Sequence, residues 1–142
     1  QMQTLLENLY KQETTFGETD FSALCGHLGK HVNKRSFLVL YTNFSNMTSL
    51  NRQLVYLQQL ARQHRVLVVF FEDADLKEYI AGKSVTTEDY YRHVIAEKFA
   101  FEKRLIVSTL KPHGIYSRLE TPDKLSIDVI NKYLEMKSRQ LL

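Results

Sequence analysis

The sequence predicts an α/β fold, three layers deep, in which a parallel sheet is flanked by helices. Two apolar runs, Phe37-Leu38-Val39-Leu40-Tyr41 and Val66-Leu67-Val68-Val69-Phe70-Phe71, have the length and composition of strands buried on both faces. Amphipathic stretches at helical spacing lie between the apolar runs, and alternating strands and helices pair in parallel through right-handed crossovers. Only five Gly and two Pro in 142 residues favour long regular elements.

The elements follow in order. Leu5, Leu6, Leu9 and Tyr10 stand at helical spacing within residues 2–12. A loop over Glu13 to Thr19, with Gly17 in it, leads to a helix through Ala23, Leu24, Leu28 and Val32 that Thr19 or Asp20 can cap. The first strand, Phe37 to Tyr41, is followed by a polar turn, Thr42 to Ser49. Leu50, Leu54, Leu57, Leu60 and Ala61 then mark a helix to about His64. After the second strand, Asp73 caps a short helix that stops at Gly82, a residue suited to the left-handed C-terminal position. Thr86 or Thr87 opens the longest helix, which turns Val94, Ile95, Phe99, Leu105, Ile106 and Leu110 inward and ends at Pro112 and Gly114. Ile115 to Leu119 alternates like a half-exposed edge strand. Ser126 to Leu141 forms a last helix using Val129, Ile130, Tyr133, Leu134 and Met136.

Two of the three strands thus read as interior, whereas three strands side by side have one centre and two edges. An apolar strand left at an edge exposes unpaired backbone and invites aggregation. The expectation is that further strands belong beside Phe37 to Tyr41, supplied upstream of Gln1 or by another copy through the open sheet edge. Residues 1–142 then form one domain that is a fragment of a larger one.

Composition narrows the function classes. Charged residues make up 25% of the chain, and the net +3 resides in residues 1–71, which carry seven Lys/Arg and four Asp/Glu. Its one dense cluster, Lys30-His31-Val32-Asn33-Lys34-Arg35, closes a helix, where cations answer the helix dipole. That reading removes nucleic acid as the expected partner, since a basic face interleaved with aromatics is missing. No apolar run approaches the ~20 residues of a membrane helix, so no membrane contact is expected of this stretch. A lone cysteine, Cys25, favours a reducing compartment.

Ligands of open α/β sheets bind beyond the carboxyl ends of the strands. Those ends carry Thr42, Asn43 and Ser45 after the first strand and Glu72, Asp73 and Asp75 after the second, with Thr19 and Asp20 opening an earlier helix toward the same rim. Such oxygens could hold Mg²⁺ or another hard cation, yet helix capping and turn formation account for the same residues. His27 and His31 share a helix face, with Cys25 roughly opposite, and no second cluster supplies further metal ligands. No Gly-x-Ser-x-Gly elbow frames a nucleophile, and Gly26-His27-Leu28-Gly29-Lys30 lacks phosphate-loop spacing. Asn43-Phe44-Ser45 and Asn46-Met47-Thr48 match the glycosylation pattern, which carries weight only in a secreted chain.

Three stretches carry a family resemblance: Arg35 to Phe44, Ala96 to Leu105, and Ile130-Asn131-Lys132-Tyr133-Leu134-Glu135-Met136-Lys137-Ser138-Arg139. Together they resemble the C-terminal part of the bacterial family named domain of unknown function 58, Bacteroidetes type, which is similar to the von Willebrand factor A fold. The resemblance implies a Rossmann-like doubly wound sheet whose first strands precede Gln1. It also implies a degenerate metal-ion-dependent adhesion site. Thr19 matches the loop threonine, Asn43 stands at the strand-end aspartate, and the Asp-x-Ser-x-Ser element is missing. A neutral amide there lowers metal affinity, so no cofactor is expected of this chain and only weak Mg²⁺ binding of a longer parent.

The function implied by the resemblance is a non-enzymatic protein-interaction or adaptor module. It would work with a MoxR-type AAA+ ATPase at the cytoplasmic face of a membrane, in a parent that carries the anchor. The alternative is a divalent-metal-dependent ligand-binding domain or hydrolase that uses the strand-end oxygens of Thr19, Asn43, Glu72 and Asp73.

Overall fold

The computed structural model describes residues 2–13, 19–44, 46–82 and 86–141. Helix α1 (Met2–Tyr10) and helix α2 (Phe21–His31) precede strand β1 (Phe37–Tyr41). Helix α3 (Met47–Gln63) leads to β2 (Arg65–Phe71), then α4 (Ala74–Ala81) and α5 (Thr87–Leu110). A short 3₁₀ turn, Lys111–His113, precedes β3 (Tyr116–Glu120), and α6 (Leu125–Ser138) closes the series. The sheet has the order β1-β2-β3, parallel throughout, with Val39 opposite Leu67 and Leu67 opposite Tyr116.

Side-chain oxygens start the helices as the sequence predicts. Asp20 accepts from the Ala23 amide at 2.9 Å, and Asp73 accepts from the amides of Asp75 and Leu76 at 3.0 and 3.2 Å. Thr86 and Asp89 cap α5 reciprocally, each side chain bonding the other's backbone N–H. Asn46 starts α3 inside the stretch read as a turn, accepting from the Ser49 amide at 2.8 Å, so that helix begins three residues before Leu50. Gly82 has φ −72°, an extended conformation rather than the left-handed one expected of it. Gly114, with φ 75°, is the glycine that uses its missing Cβ, turning the chain from α5 into β3.

Strand alternation splits the core in two. Val66, Val68 and Phe70 of β2 point to one face and pack with Leu50, Leu57 and Leu60 of α3 and Ile106 and Leu110 of α5. Phe21 and Cys25 of α2 extend this cluster. Leu67 and Val69 point to the other face, which α6 covers, with Met136 buried there. Tyr133 meets Phe37 of β1, and the Lys132 ammonium sits 4.5 Å over the Tyr116 ring of β3, so α6 crosses the sheet between its two edges. The result is helix, sheet and helix, the three layers that the alternating pattern predicts.

Burial corrects the sequence reading at four places. β2 is the central strand and is buried from Val66 to Phe70, but β1 is an edge strand, half-buried from Phe37 to Leu40 and exposed at Tyr41. In α5, Ile106 and Leu110 are inside while Val94, Ile95, Phe99 and Leu105 are exposed. Leu105 is turned about 100° around the helix from Ile106; for Val94, Ile95 and Phe99 the reason lies in the helix's position. Lys103 Nζ donates to the carbonyl of Phe71, the last residue of β2, so the helix N-terminal to Lys103 projects past the carboxyl end of the sheet. In α6, Met136 is buried and Val129 half-buried, but Ile130, Tyr133 and Leu134 are exposed because only the sheet-facing flank of that helix has something to pack on. All the apolar residues of α1 are exposed.

Candidate functional site

The carboxyl ends of the strands bear two separate hollows, and the candidate residues divide between them. Thr19, Thr42 and Asn43 line a small hollow of about 50 Å³ with Phe21, Phe44, Ser49 and Gln53. It forms because α2 and α3 flank the end of β1, so the start of one helix and the loop into the other converge there. Asp20, next to this hollow in sequence, faces solvent and spends its carboxylate on capping α2. Ser45 and Gly17 lie outside the described residues.

Glu72 and Asp73 line the second hollow, of about 350 Å³, between α4 and α5. Leu76, Ile80, Phe101 and Leu119 give it apolar walls. Its charges are mostly engaged: Glu72 pairs with Lys77 at 3.2 Å, Asp73 caps α4, and Lys103 bonds the Phe71 carbonyl. The sequence predicted one rim of oxygens. The structure places Thr19 and Asn43 together and puts Glu72 and Asp73 elsewhere, because the start of α2 meets the end of β1 whereas Glu72 and Asp73 follow β2.

A hard divalent cation asks for several oxygens, charged carboxylates among them. Among the described residues, the hollow shared by Thr19 and Asn43 offers hydroxyl and amide oxygens with no carboxylate in its wall. These residues by themselves do not fit Mg²⁺. Among the described residues no group of three or more His, Cys, Asp or Glu side chains is placed to hold a metal. His27 and His31 stack at 4.2 Å on the surface of α2, with a ring nitrogen of His31 bonded to the His27 carbonyl. Cys25 is buried, its thiol donating to the Tyr56 carbonyl at 3.4 Å, and burial raises its pKa above 9.0, which keeps it a thiol.

Two features had no distinct signal in the sequence. His64 is buried and accepts the Ser36 N–H through Nδ1 at 3.3 Å, tying the end of α3 to the start of β1. Its neighbours Lys34 and Arg35 line a hollow of about 370 Å³ with Asn33 and Gln63, so the basic cluster sits at the amino end of the sheet, opposite the rim. The other feature is bare apolar surface. On α5, Tyr91, Ile95 and Phe99 occupy the same helix face as the buried Ile106 and Leu110, at exposures of 66%, 54% and 55%. Spacing could reveal that stripe but not which part of it the sheet reaches.

Fold and surface together define a three-layer α/β protein with an open sheet edge and a projecting apolar helix. The chain matches no protein-family model, no curated protein and no solved structure. Among the described residues no helix is long and apolar enough to cross a membrane.

Proposed function

We propose that this chain is a protein-interaction module, the C-terminal half of a von Willebrand factor A-like domain, that acts by binding and not by catalysis. The observation that carries the reading is the bare stripe Tyr91-Ile95-Phe99. It continues the core-facing side of α5 beyond the sheet, and an apolar face rimmed by polar residues is the form in which partner surfaces occur. Aromatic residues enriched on it are the side chains that dominate binding energy at interfaces. The family resemblance names a MoxR-type AAA+ ATPase as the partner to try first, in an assembly at the cytoplasmic face of a membrane. The test is biolayer interferometry with the immobilised chain and such an ATPase. Saturable binding weakened tenfold or more by Phe99→Asp is expected; no saturable binding overturns the assignment of that partner.

A second reading, a divalent-metal-dependent ligand-binding domain or hydrolase, has Thr19 and Asn43 converging on one hollow in its favour, but needs carboxylate ligands beyond the residues that line it. Titration calorimetry with Mg²⁺ and Mn²⁺ tests it: heat of binding abolished by Asn43→Ala would displace the first reading.

A further inference from the structure

Beyond the carboxyl ends of β2 and β3, helices α4 and α5 stand around the hollow of about 350 Å³ that Glu72 and Asp73 line. Leu76 and Ile80, four residues apart, present one face of α4 to it, and both are half-buried. Leu119 of β3 reaches it from the α5 face of the sheet, the face its partner Phe70 also takes. Phe101 of α5 forms another wall yet is 62% exposed, so much of its ring is left in contact with water. This volume falls at the small end of the ~300–1,000 Å³ range of ligand sites, whose usual build is an apolar lining with a few polar groups. The carboxyl ends of parallel strands are also where open α/β sheets bind their ligands.

The charges around the hollow are unevenly satisfied. Glu72 pairs with Lys77 at 3.2 Å, Asp73 accepts the first amides of α4, and Glu97 stands 3.6 Å from His93. Two cations have no such partner. Half-buried Lys103 spends one of its three N–H groups on the Phe71 carbonyl at 2.8 Å, a neutral acceptor. Arg104 has Ala100, Phe101, Val107 and Ser108 at the positions three and four residues away, so its own helix offers it no acid. Among the described residues, no carboxylate pairs with Lys103 or Arg104. Cations drawn partly out of water beside an apolar hollow are stabilised by an anion brought to them.

We propose that this hollow binds a small monocarboxylic acid with an apolar body. The carboxylate lies against Arg104, whose planar guanidinium takes both oxygens, and beside the Lys103 ammonium. The body enters between α4 and α5 and covers Phe101, Leu76 and Ile80. The walls favour a single negative charge, because Glu72, Asp73 and Glu97 repel a phosphate dianion more than they repel a monoanion. The site goes beyond both readings above. Thr19 and Asn43 belong to the hollow at the end of β1, and on α5 Glu97, Phe101 and Arg104 stand about half a turn round from Tyr91-Ile95-Phe99. It opens beside β2 and β3, away from β1, the strand beside which further strands are expected.

Titration of the isotope-labelled full chain with 4-phenylbutyrate, followed by amide NMR, tests the site; 4-phenylbutan-1-ol keeps the body and drops the charge. Expected are saturable shifts gathered at Leu76, Ile80, Phe101 and Arg104, with the alcohol bound about tenfold or more weakly, as loss of a charge-assisted pair requires. Arg104→Gln, at an exposed side chain, keeps the amide spectrum of the free chain and brings the acid down to the alcohol's affinity, which itself stays unchanged. Phe101→Ala weakens acid and alcohol alike, because it removes wall and not charge. Absence of saturable shifts up to millimolar acid overturns the site, as does equal affinity for acid and alcohol. Shifts gathered on Tyr91-Ile95-Phe99 or on Lys30 to Arg35 overturn it as well. ATPase binding is read by Phe99→Asp on the other flank of α5, so failure of this site and failure of the proposed function are separable.

Discussion

The rings of Phe37 and Tyr133 lie 6.1 Å apart at an interplanar angle of 37°, and this pair joins α6 to the edge strand. Ring pairs at such separations add about 0.5–1.5 kcal/mol beyond their area burial. The larger anchor of α6 is Met136, buried against the face that carries Leu67 and Val69. Met136→Ala is expected to cost about 2–5 kcal/mol and Tyr133→Ala less, because a buried side chain leaves a cavity and a half-exposed ring does not. Urea unfolding followed by circular dichroism measures both. Equal losses would mean that the ring pair holds the helix as firmly as the buried thioether, against this expectation.

Asp73 is both a candidate ligand and a helix cap, and the two roles separate experimentally. Its Oδ1 accepts from the Asp75 and Leu76 amides, so Asp73→Ala is expected to destabilise the chain by about 0.5–2 kcal/mol. Asp73→Asn keeps an accepting oxygen and should recover most of that loss. Thermal unfolding in the presence and absence of Mg²⁺ reads the outcome: the same loss in both conditions is the signature of a cap. A loss confined to Mg²⁺ would restore Asp73 as a ligand.

Local chemistry was legible in the sequence, and what neighbours cover was not. Asp20, Asp73 and Thr86 announce their helices because a cap bonds to amides two or three residues on. The buried β2 run was legible because a strand covered on both faces has no polar positions. β1 carries the same apolar signal and sits at an edge, since composition records that a strand is meant to be covered, not by which chain. Ile95 and Ile106 likewise give identical signals on one helix face, and only the end of the sheet near Lys103 decides which of them is buried. Of the candidate site, Thr19 and Asn43 came together because the start of α2 packs beside the loop that leaves β1. Glu72 and Asp73 follow the next strand and landed in another hollow.

Glu120, at the end of β3, is held above the usual carboxylate range, first by burial and then by the charge of Asp128 and a hydrogen bond with it; Arg118 and Lys124 pull the other way. A carboxyl whose pKa is higher in the folded state favours folding when protonated. Its contribution is full below its ordinary 4.5 and is lost as pH rises through the raised value. Glu120→Gln should therefore match the parent chain in stability below that window and exceed it above, at neutral pH. Glu135 titrates with the opposite sign, since a hydrogen bond from Lys132 lowers its pKa, so its contribution is present above 4.5 and fades as pH falls. Urea midpoints of Glu120→Gln across an acid-to-neutral series isolate the first effect, and a constant offset at all pH values would contradict it.

Ile95 and Ile106 lie on one face of α5, one exposed at 54% and one at 1%. Their substitutions should part along that division. Ile106→Ala removes methyl groups from the cluster formed with Leu110, Leu57 and Phe70, and is expected to cost about 2–5 kcal/mol of folding stability. Ile95→Ala opens no cavity and should stay within about 0.5 kcal/mol of the parent chain. If the projecting stripe is a partner surface, the order reverses in binding: Ile95→Ala weakens the complex by about tenfold or less as a single contact, whereas Ile106→Ala at a temperature where it remains folded leaves affinity unchanged. Denaturation and interferometry on the same two proteins measure both axes. An Ile95→Ala chain that loses stability as Ile106→Ala does would show that the projecting half of α5 is covered in solution by part of the chain itself, and the stripe would then belong to the core.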